Sequence, residues 1–148
     1  PHEPNEKLFR MFRACLDAVA SAPSMTQAFV RYFEIWILRL SGFLPDLRAC
    51  LSCGKQFGGT GEHAYMSFET GLRCGVCAHG SGIQLSGAVR AQMRSVLRLA
   101  PKDWSEKMST EDWAGQQCEV SELTRSLITR ALERAPRAHG SSMSGEER

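Results

Sequence analysis

At 148 residues the chain is long enough for one domain, or for one helical domain with a small module inserted, and it can bury a substantial core. Its 43% hydrophobic and 23% charged residues are those of a globular protein, and a net charge of +2 does not by itself argue for nucleic acid. No apolar run approaches the roughly 18 residues a membrane span needs; the longest, Ala28 to Leu40, is interrupted by Arg31, Glu34 and Arg39. The start at Pro1 rather than methionine leads us to expect a piece of a longer protein.

The first half reads as helical. After Pro4 and Asn5, apolar residues recur at Leu8, Phe12, Cys15 or Leu16, and Val19, which is helical spacing with one buried stripe. The run Ser21-Ala22-Pro23-Ser24 breaks it, and Ser24 with Gln27 forms a capping-box pattern for a second helix. That helix carries Met25, Phe29, Phe33, Trp36, Ile37 and Leu40 on one side, ends at Gly42 and is followed by Pro45. As the most apolar segment it should run through the centre of the domain. Trp36 lies in the stripe, so core packing suits it better than ligand stacking.

Residues 48 to 80 form a different kind of segment. Cys50 and Cys53 make one C-x-x-C pair, Cys74 and Cys77 a second, with residues 54 to 73 between them. Each pair turns two thiolates toward one point, and a hairpin between the pairs can bring all four together around a tetrahedral Zn²⁺. Gly54, directly after the first pair, can adopt the positive φ that such a turn requires. Four thiolates leave no position for water or substrate, so the site is expected to be structural. Two disulfides are the main alternative, but a C-x-x-C disulfide closes a very tight loop. A thioredoxin-like redox motif needs one pair at a strand-to-helix junction in a βαβ unit, and that pattern is missing. His63 and His79 could substitute as ligands but read as exposed loop residues. Single Cys15 and Cys118 in helical patterns read as small buried apolar residues. Tyr65 to Phe68 and Leu72 to Cys74 read as two short strands around Glu69-Thr70-Gly71. Gly58, Gly59 and Gly61 fit a hairpin tip, because no Gly-Lys-Ser/Thr follows to make a phosphate loop.

Ser86 is a good N-cap for a further helix with Val89, Met93, Val96 and Leu97 inward, stopped by Pro101. Trp104 and Trp113 bracket a polar linker or short helical turns. A last helix from about 117 to 135 buries Val120, Leu123, Leu127, Ile128 and Ala131, and Pro136 ends it. The fold class expected is therefore mainly α, a helical bundle with an inserted four-cysteine, zinc-ribbon-like β-hairpin. Residues 1–49 and 81–136 supply the bundle, 50–80 the zinc-binding module, and 137–148 a disordered tail without apolar pattern.

Arg90, Arg94 and Arg98 follow at four-residue steps, and Lys102 extends the line. Such a row of guanidinium groups suits phosphates or the carboxylates of an acidic peptide; the competing reading is a solvated helix face. Arg125, Arg130, Arg134 and Arg137 are interleaved with Glu122 and Glu133 and make a weaker case. No His-Glu-x-x-His and no nucleophile-elbow serine occurs, so a non-enzymatic role is expected. A reactive-thiol or metal-dependent enzyme is the opposing class, and a closed four-cysteine site disfavours it.

The run Tyr32-Phe33-Glu34-Ile35-Trp36-Ile37-Leu38-Arg39-Leu40-Ser41-Gly42-Phe43-Leu44-Pro45-Asp46-Leu47 resembles the approach to the zinc cysteines in the RecO family of bacterial recombination mediators. Cys50-Leu51-Ser52-Cys53-Gly54 fits the family's Cys-x-x-Cys-Gly. Phe68-Glu69-Thr70-Gly71-Leu72-Arg73-Cys74 is similar to its Glu-x-Gly hairpin, and the likeness runs from about residue 3 to 99. The family's N-terminal OB-fold has no counterpart here, so the likeness covers the helical and zinc-binding region alone. It implies DNA repair and recombination in the cytoplasm at the nucleoid: strand annealing, and loading of RecA on DNA coated by single-strand-binding protein (SSB). Single- and double-stranded DNA, RecR and SSB are the implied partners, with no membrane and no small-molecule substrate. A zinc-ribbon nucleic-acid-binding module of a transcription or regulatory protein is the alternative. It is weakened because Lys55 and Arg73, the basic residues between Cys50 and Cys77, are balanced by Glu62 and Glu69.

Overall fold

A computed structural model of the chain describes residues 3–58, 61–109 and 114–134. Two helices open it, α1 (Glu3–Ser21) and α2 (Thr26–Leu40), joined by a 3-10 turn at Pro23–Met25. The three-stranded sheet follows, β1 (Ala64–Ser67), β2 (Gly71–Cys74) and β3 (Ile83–Leu85), with the short helix α3 (Gly75–Ala78) between β2 and β3. Helices α4 (Gly87–Val96), α5 (Pro101–Ser109) and α6 (Ala114–Arg134) complete a mainly helical fold. No helix among the described residues is long and apolar enough to cross a membrane.

Helix α2 packs against α1, α4, α5 and α6. Its buried residues are Ala28, Phe29, Tyr32, Ile35 and Leu38, while Phe33 and Trp36 are only partly buried. The inward face is thus turned from the expected Phe33–Trp36–Ile37 stripe toward Tyr32 and Ile35. The reason is that a helix with neighbours on several sides buries more than one stripe. Polar ends of the two aromatics are satisfied at the same seam: Tyr32 Oη donates to the carbonyl of Leu99, and Trp36 Nε1 donates to the carbonyl of Val96 at 3.1 Å. The expected Ser24–Gln27 capping box is not used. Met25 precedes the helix without a side-chain cap, and Thr26 Oγ1 instead donates to the carbonyl of Pro23 at 2.6 Å.

On α1, Cys15 and Ala18 are buried, with Met11 and Val19 packed beside them. Phe12 and Leu16, expected inward, are 45% and 53% exposed; Phe12 rests on Phe33 with ring centroids 5.2 Å apart. Helix α4 follows its pattern: Ser86 Oγ accepts from the Val89 amide at 3.2 Å, and Val89, Met93 and Val96 are fully buried. It stops at Val96, earlier than expected. Pro101 does not end it but opens α5, since a proline at the first helical position gives up only an amide that has no partner there. Of the two readings for this segment, a polar linker or short helical turns, the helical one holds through Ser109, and its Trp104 and Met108 are both 1% exposed, with Trp104 packed on Tyr32 at 5.3 Å between centroids. Trp113 and the tail 137–148 lie outside the described residues. On α6, Val120, Leu123 and Leu127 are buried as expected, and Ile128 is partly buried.

The sheet has the order β2-β1-β3, antiparallel throughout. Strand β1 is central, pairing Ala64 with Cys74 on one side and with Leu85 on the other. Strand β3 went unread in the sequence. It reaches β1 through Gly82, whose φ of +110° suits glycine and whose added Cβ would lie 2.7 Å from the Met66 carbonyl oxygen.

Candidate metal centre and basic surface

The first cysteine pair sits on a tight turn. Ala49 bridges Gln56, the Cys50 amide donates to the carbonyl of Lys55 at 2.8 Å, and the Gly54 amide donates back to the carbonyl of Cys50 at 2.9 Å. Gly54 has φ +77°, the left-handed geometry expected after the second cysteine. The turn is fastened to the sheet by the Leu51 amide, which donates to the carbonyl of Leu72 at 2.8 Å. The second pair sits where β2 becomes α3: Cys74 precedes the helix and Cys77 lies within it, with Arg73 Nη1 donating to the carbonyl of Cys77 at 3.1 Å.

These two turns bring the Sγ atoms of Cys50, Cys53, Cys74 and Cys77 within 4.8 Å of one another, and Cys53 Sγ lies 3.9 Å from Cys74 Sγ. A tetrahedral Zn²⁺ with Zn–S near 2.3 Å places its sulfurs about 3.8 Å apart, so the spacing fits the ion. Cys50 and Cys74 are buried, Cys77 is half-buried and Cys53 is exposed. Burial resists ionisation of Cys50, yet amides donated to its sulfur from Cys53, Cys74 and Ser52 bring its pKa down to about 6. The Cys77 amide, the first cause, likewise lowers Cys74. Cys77 is pushed up to about 12, first by its contact with the Cys74 thiol. Four thiols this close cannot all ionise without a cation among them. His63 and His79 are exposed and stand outside the cluster. Cys15 is buried, which raises its pKa to about 11, but Cys118 is exposed on α6 rather than buried as its pattern suggested.

The arginine row comes apart. Arg90 is 2% exposed: its Nη2 donates to the carbonyl of Glu62, and its guanidinium lies over the Phe57 ring at 4.7 Å. Glu62 in turn pairs with Lys55 at 2.6 Å and accepts from the Gly58 amide at 2.9 Å. Arg90 is thus a clamp between the cysteine module and α4 and does not present its charge to solvent. Arg98 lies beyond the end of α4, and Lys102 is exposed on α5. Arg94 and Arg98 instead meet Arg39 and Arg48 around a groove of about 380 Å³ floored by Pro45, Leu47 and Leu97. Arg48 is paired with Asp46 at 3.1 Å, and that contact lowers the Asp46 pKa. Arg39 and Arg48, distant in sequence from the row, were missed because only the fold brings the end of α2 and the following loop beside α4.

The sequence profile of the family described as "Recombination protein O C terminal" matches residues 1–139. A protein named DNA repair protein RecO from Koribacter versatilis (strain Ellin345) is 30% identical over 127 residues, covering 85% of this chain and 48% of that protein. The protein of the same name from Anaeromyxobacter dehalogenans (strain 2CP-C) is 39% identical over 79 residues, 53% of this chain and 30% of the relative. That from Pelobacter propionicus (strain DSM 2379 / NBRC 103807 / OttBd1) is 33% identical over 95 residues, 64% and 37% respectively. The chain thus spans half or less of the length of these curated relatives. No solved structure matches it. The profile match over nearly the whole chain, together with the hairpin-linked cysteine pairs, places it in the recombination protein O C-terminal family.

Proposed function

We propose that the chain is a non-enzymatic, zinc-stapled helical part of a DNA repair and recombination mediator. Cys50, Cys53, Cys74 and Cys77 hold one structural Zn²⁺. Residues 50–80 form a module set into a bundle built by 1–49 and 81–136. The observation that carries the metal reading is the convergence of four Sγ atoms within 4.8 Å, with no His, Asp, Glu or further Cys joining them among the described residues. The relatives' name, DNA repair protein RecO, supports a whole protein that acts in DNA repair; in our reading that protein works on single- and double-stranded DNA in the cytoplasm, at the nucleoid. Within that protein the chain contributes to strand annealing and RecA loading through contacts with DNA, RecR or SSB. Arg94, Arg98 and Lys102 remain available for phosphate or acidic-tail contact, and Arg90 does not.

A stand-alone transcription-type zinc ribbon is the poorer reading. Its two basic groups between the cysteine pairs are already engaged, Lys55 with Glu62 and Arg73 with the carbonyl of Cys77. Metal content by mass spectrometry, with helicity and melting before and after chelation, tests the proposal. One zinc per chain, and a module that loosens on chelation while most helix persists, is the expected result. Metal-free protein with the four thiols reactive or disulfide-bonded would overturn it.

A further inference from the structure

The arginine groove does not stand alone. Pro45 lines both it and a second cavity of about 290 Å³, bounded by Phe43, Met66, Phe68, Leu127, Arg130 and Arg134. Phe68 and Arg130 in turn line a third, of about 320 Å³, with Arg125 and Thr129. The three are therefore consecutive, running from α4 past the loop after α2 to the β1–β2 turn and the end of α6. Among the described residues Arg39, Arg94, Arg98, Arg125 and Arg134 form no ion pair within 4 Å; Asp46 is paired with Arg48, with Arg39 acting on it from farther off, and Glu133 with Arg130. Phe68 stands 38% exposed at the hairpin turn, and the Arg130 guanidinium lies over its ring at 5.7 Å. Arg130 Nε is buried and makes no hydrogen bond.

Charge at one end and a flat aromatic–guanidinium pair at the other match two different parts of a polynucleotide. Phosphates are held by guanidinium groups, and an unpaired base stacks on an aromatic face whatever its identity. An acidic peptide would use the arginines but has no group that needs the exposed Phe68 ring. Duplex DNA would satisfy the charge, but its bases are already stacked.

We infer that this track is a binding site for single-stranded nucleic acid, with phosphates on Arg39, Arg94 and Arg98 and an unpaired base stacked on Phe68 beside Arg130. The inference rests on the reading of the chain as part of a DNA-handling protein and adds where, and in which form, it takes the strand. The hairpin that carries Phe68 also ends at Cys74, so the stacking face is set by the same β1–β2 pairing that positions the cluster.

The test is fluorescence anisotropy of a labelled oligothymidine, single-stranded or annealed to its complement, titrated with the zinc-loaded chain over a range of salt. Phe68→Ala should weaken single-strand binding by at least about fivefold while leaving the duplex nearly unchanged. Arg94→Glu with Arg98→Glu should lower the salt slope by about 1.4, two phosphate contacts at about 0.7 each. Arg10→Glu, which lines none of the three cavities, should alter neither. All these side chains are at least partly exposed, so folding is preserved, and circular dichroism checks it. Wild-type binding untouched by both track variants would overturn the site and leave the repair-protein reading intact. Equal loss on duplex and single strand would overturn the stacking. Failure to bind the oligonucleotide, with capture of a polyglutamate peptide instead, would reassign the track to a protein partner. The zinc count is independent of each of these outcomes.

Discussion

Arg90 offers the sharpest test of the fold, because its position in a basic row suggests a ligand contact and its surroundings make it a clamp. Replacing it with methionine keeps an apolar stem of similar reach and removes the guanidinium. The lost hydrogen bond to the Glu62 carbonyl is charge-assisted and contributes about 1.5–3 kcal/mol. The lost stack on Phe57, at 4.7 Å and shielded from solvent, contributes up to about 2 kcal/mol. Relief from burying a charge offsets part of this, and burial does lower the Arg90 pKa. A net destabilisation of about 2 kcal/mol follows, equivalent to roughly a 1 M fall in the urea midpoint for a small domain. Arg94→Met and Arg98→Met should stay within about 0.5 kcal/mol of wild type, as surface changes do. Urea unfolding of the zinc-saturated proteins, followed by circular dichroism, measures all three. Equal stabilities for Arg90→Met and wild type would refute the clamp, as would losses of the same size at Arg94 or Arg98.

Two more perturbations follow from the interior. Burial is the main cause that lifts the Tyr32 pKa from 10.0 to about 12, so its stabilising contribution is complete below pH 10 and is lost as the pH rises from 10 to 12. Tyr32→Phe, though it loses the bond to the Leu99 carbonyl and about 1 kcal/mol at neutral pH, should show a flatter decline in stability across that window; parallel alkaline unfolding curves would refute the assignment. Gly82→Ala must either abandon φ +110° or push a Cβ into the Met66 carbonyl, so it should cost about 1–3 kcal/mol. Faster amide exchange at β3 would accompany that loss, and an unchanged melting temperature would show that the strand tolerates displacement.

The parts of the molecule most legible in its sequence are those where one short-range rule decides. C-x-x-C geometry with Gly54, and the Ser86 cap with its Val89–Met93–Val96 spacing, depend on neighbours a few residues away. What was misread depends on the third dimension. Pro101 looks the same as a stop and as a first helical residue, and only burial of Trp104 and Met108 against the bundle decides between them. Ile83-Gln84-Leu85 is too short to show a period, and becomes a strand because β1 has an open edge beside it. Phe12 and Leu16 sit at helical spacing, yet the core closes on the Cys15–Ala18 face and Phe12 meets α2 only at its half-exposed edge, on Phe33. Arginines at four-residue steps reveal that they share a helix side, but not that Phe57 and the Glu62 carbonyl await the first of them.

Ala64, fully buried in the middle strand, faces Cys74 across one hydrogen-bonded edge and Leu85 across the other. A cysteine of the cluster and the residue just before the Ser86 cap are therefore held on opposite edges of one strand, two strand spacings apart. The cysteine cluster and helix α4 are coupled in series through that strand, whose backbone ladder on both edges sets their separation. Cross-strand partners share one sheet face, so a larger side chain at 64 would crowd Cys74 and Leu85 at once and disturb the cluster and the start of α4 in one step.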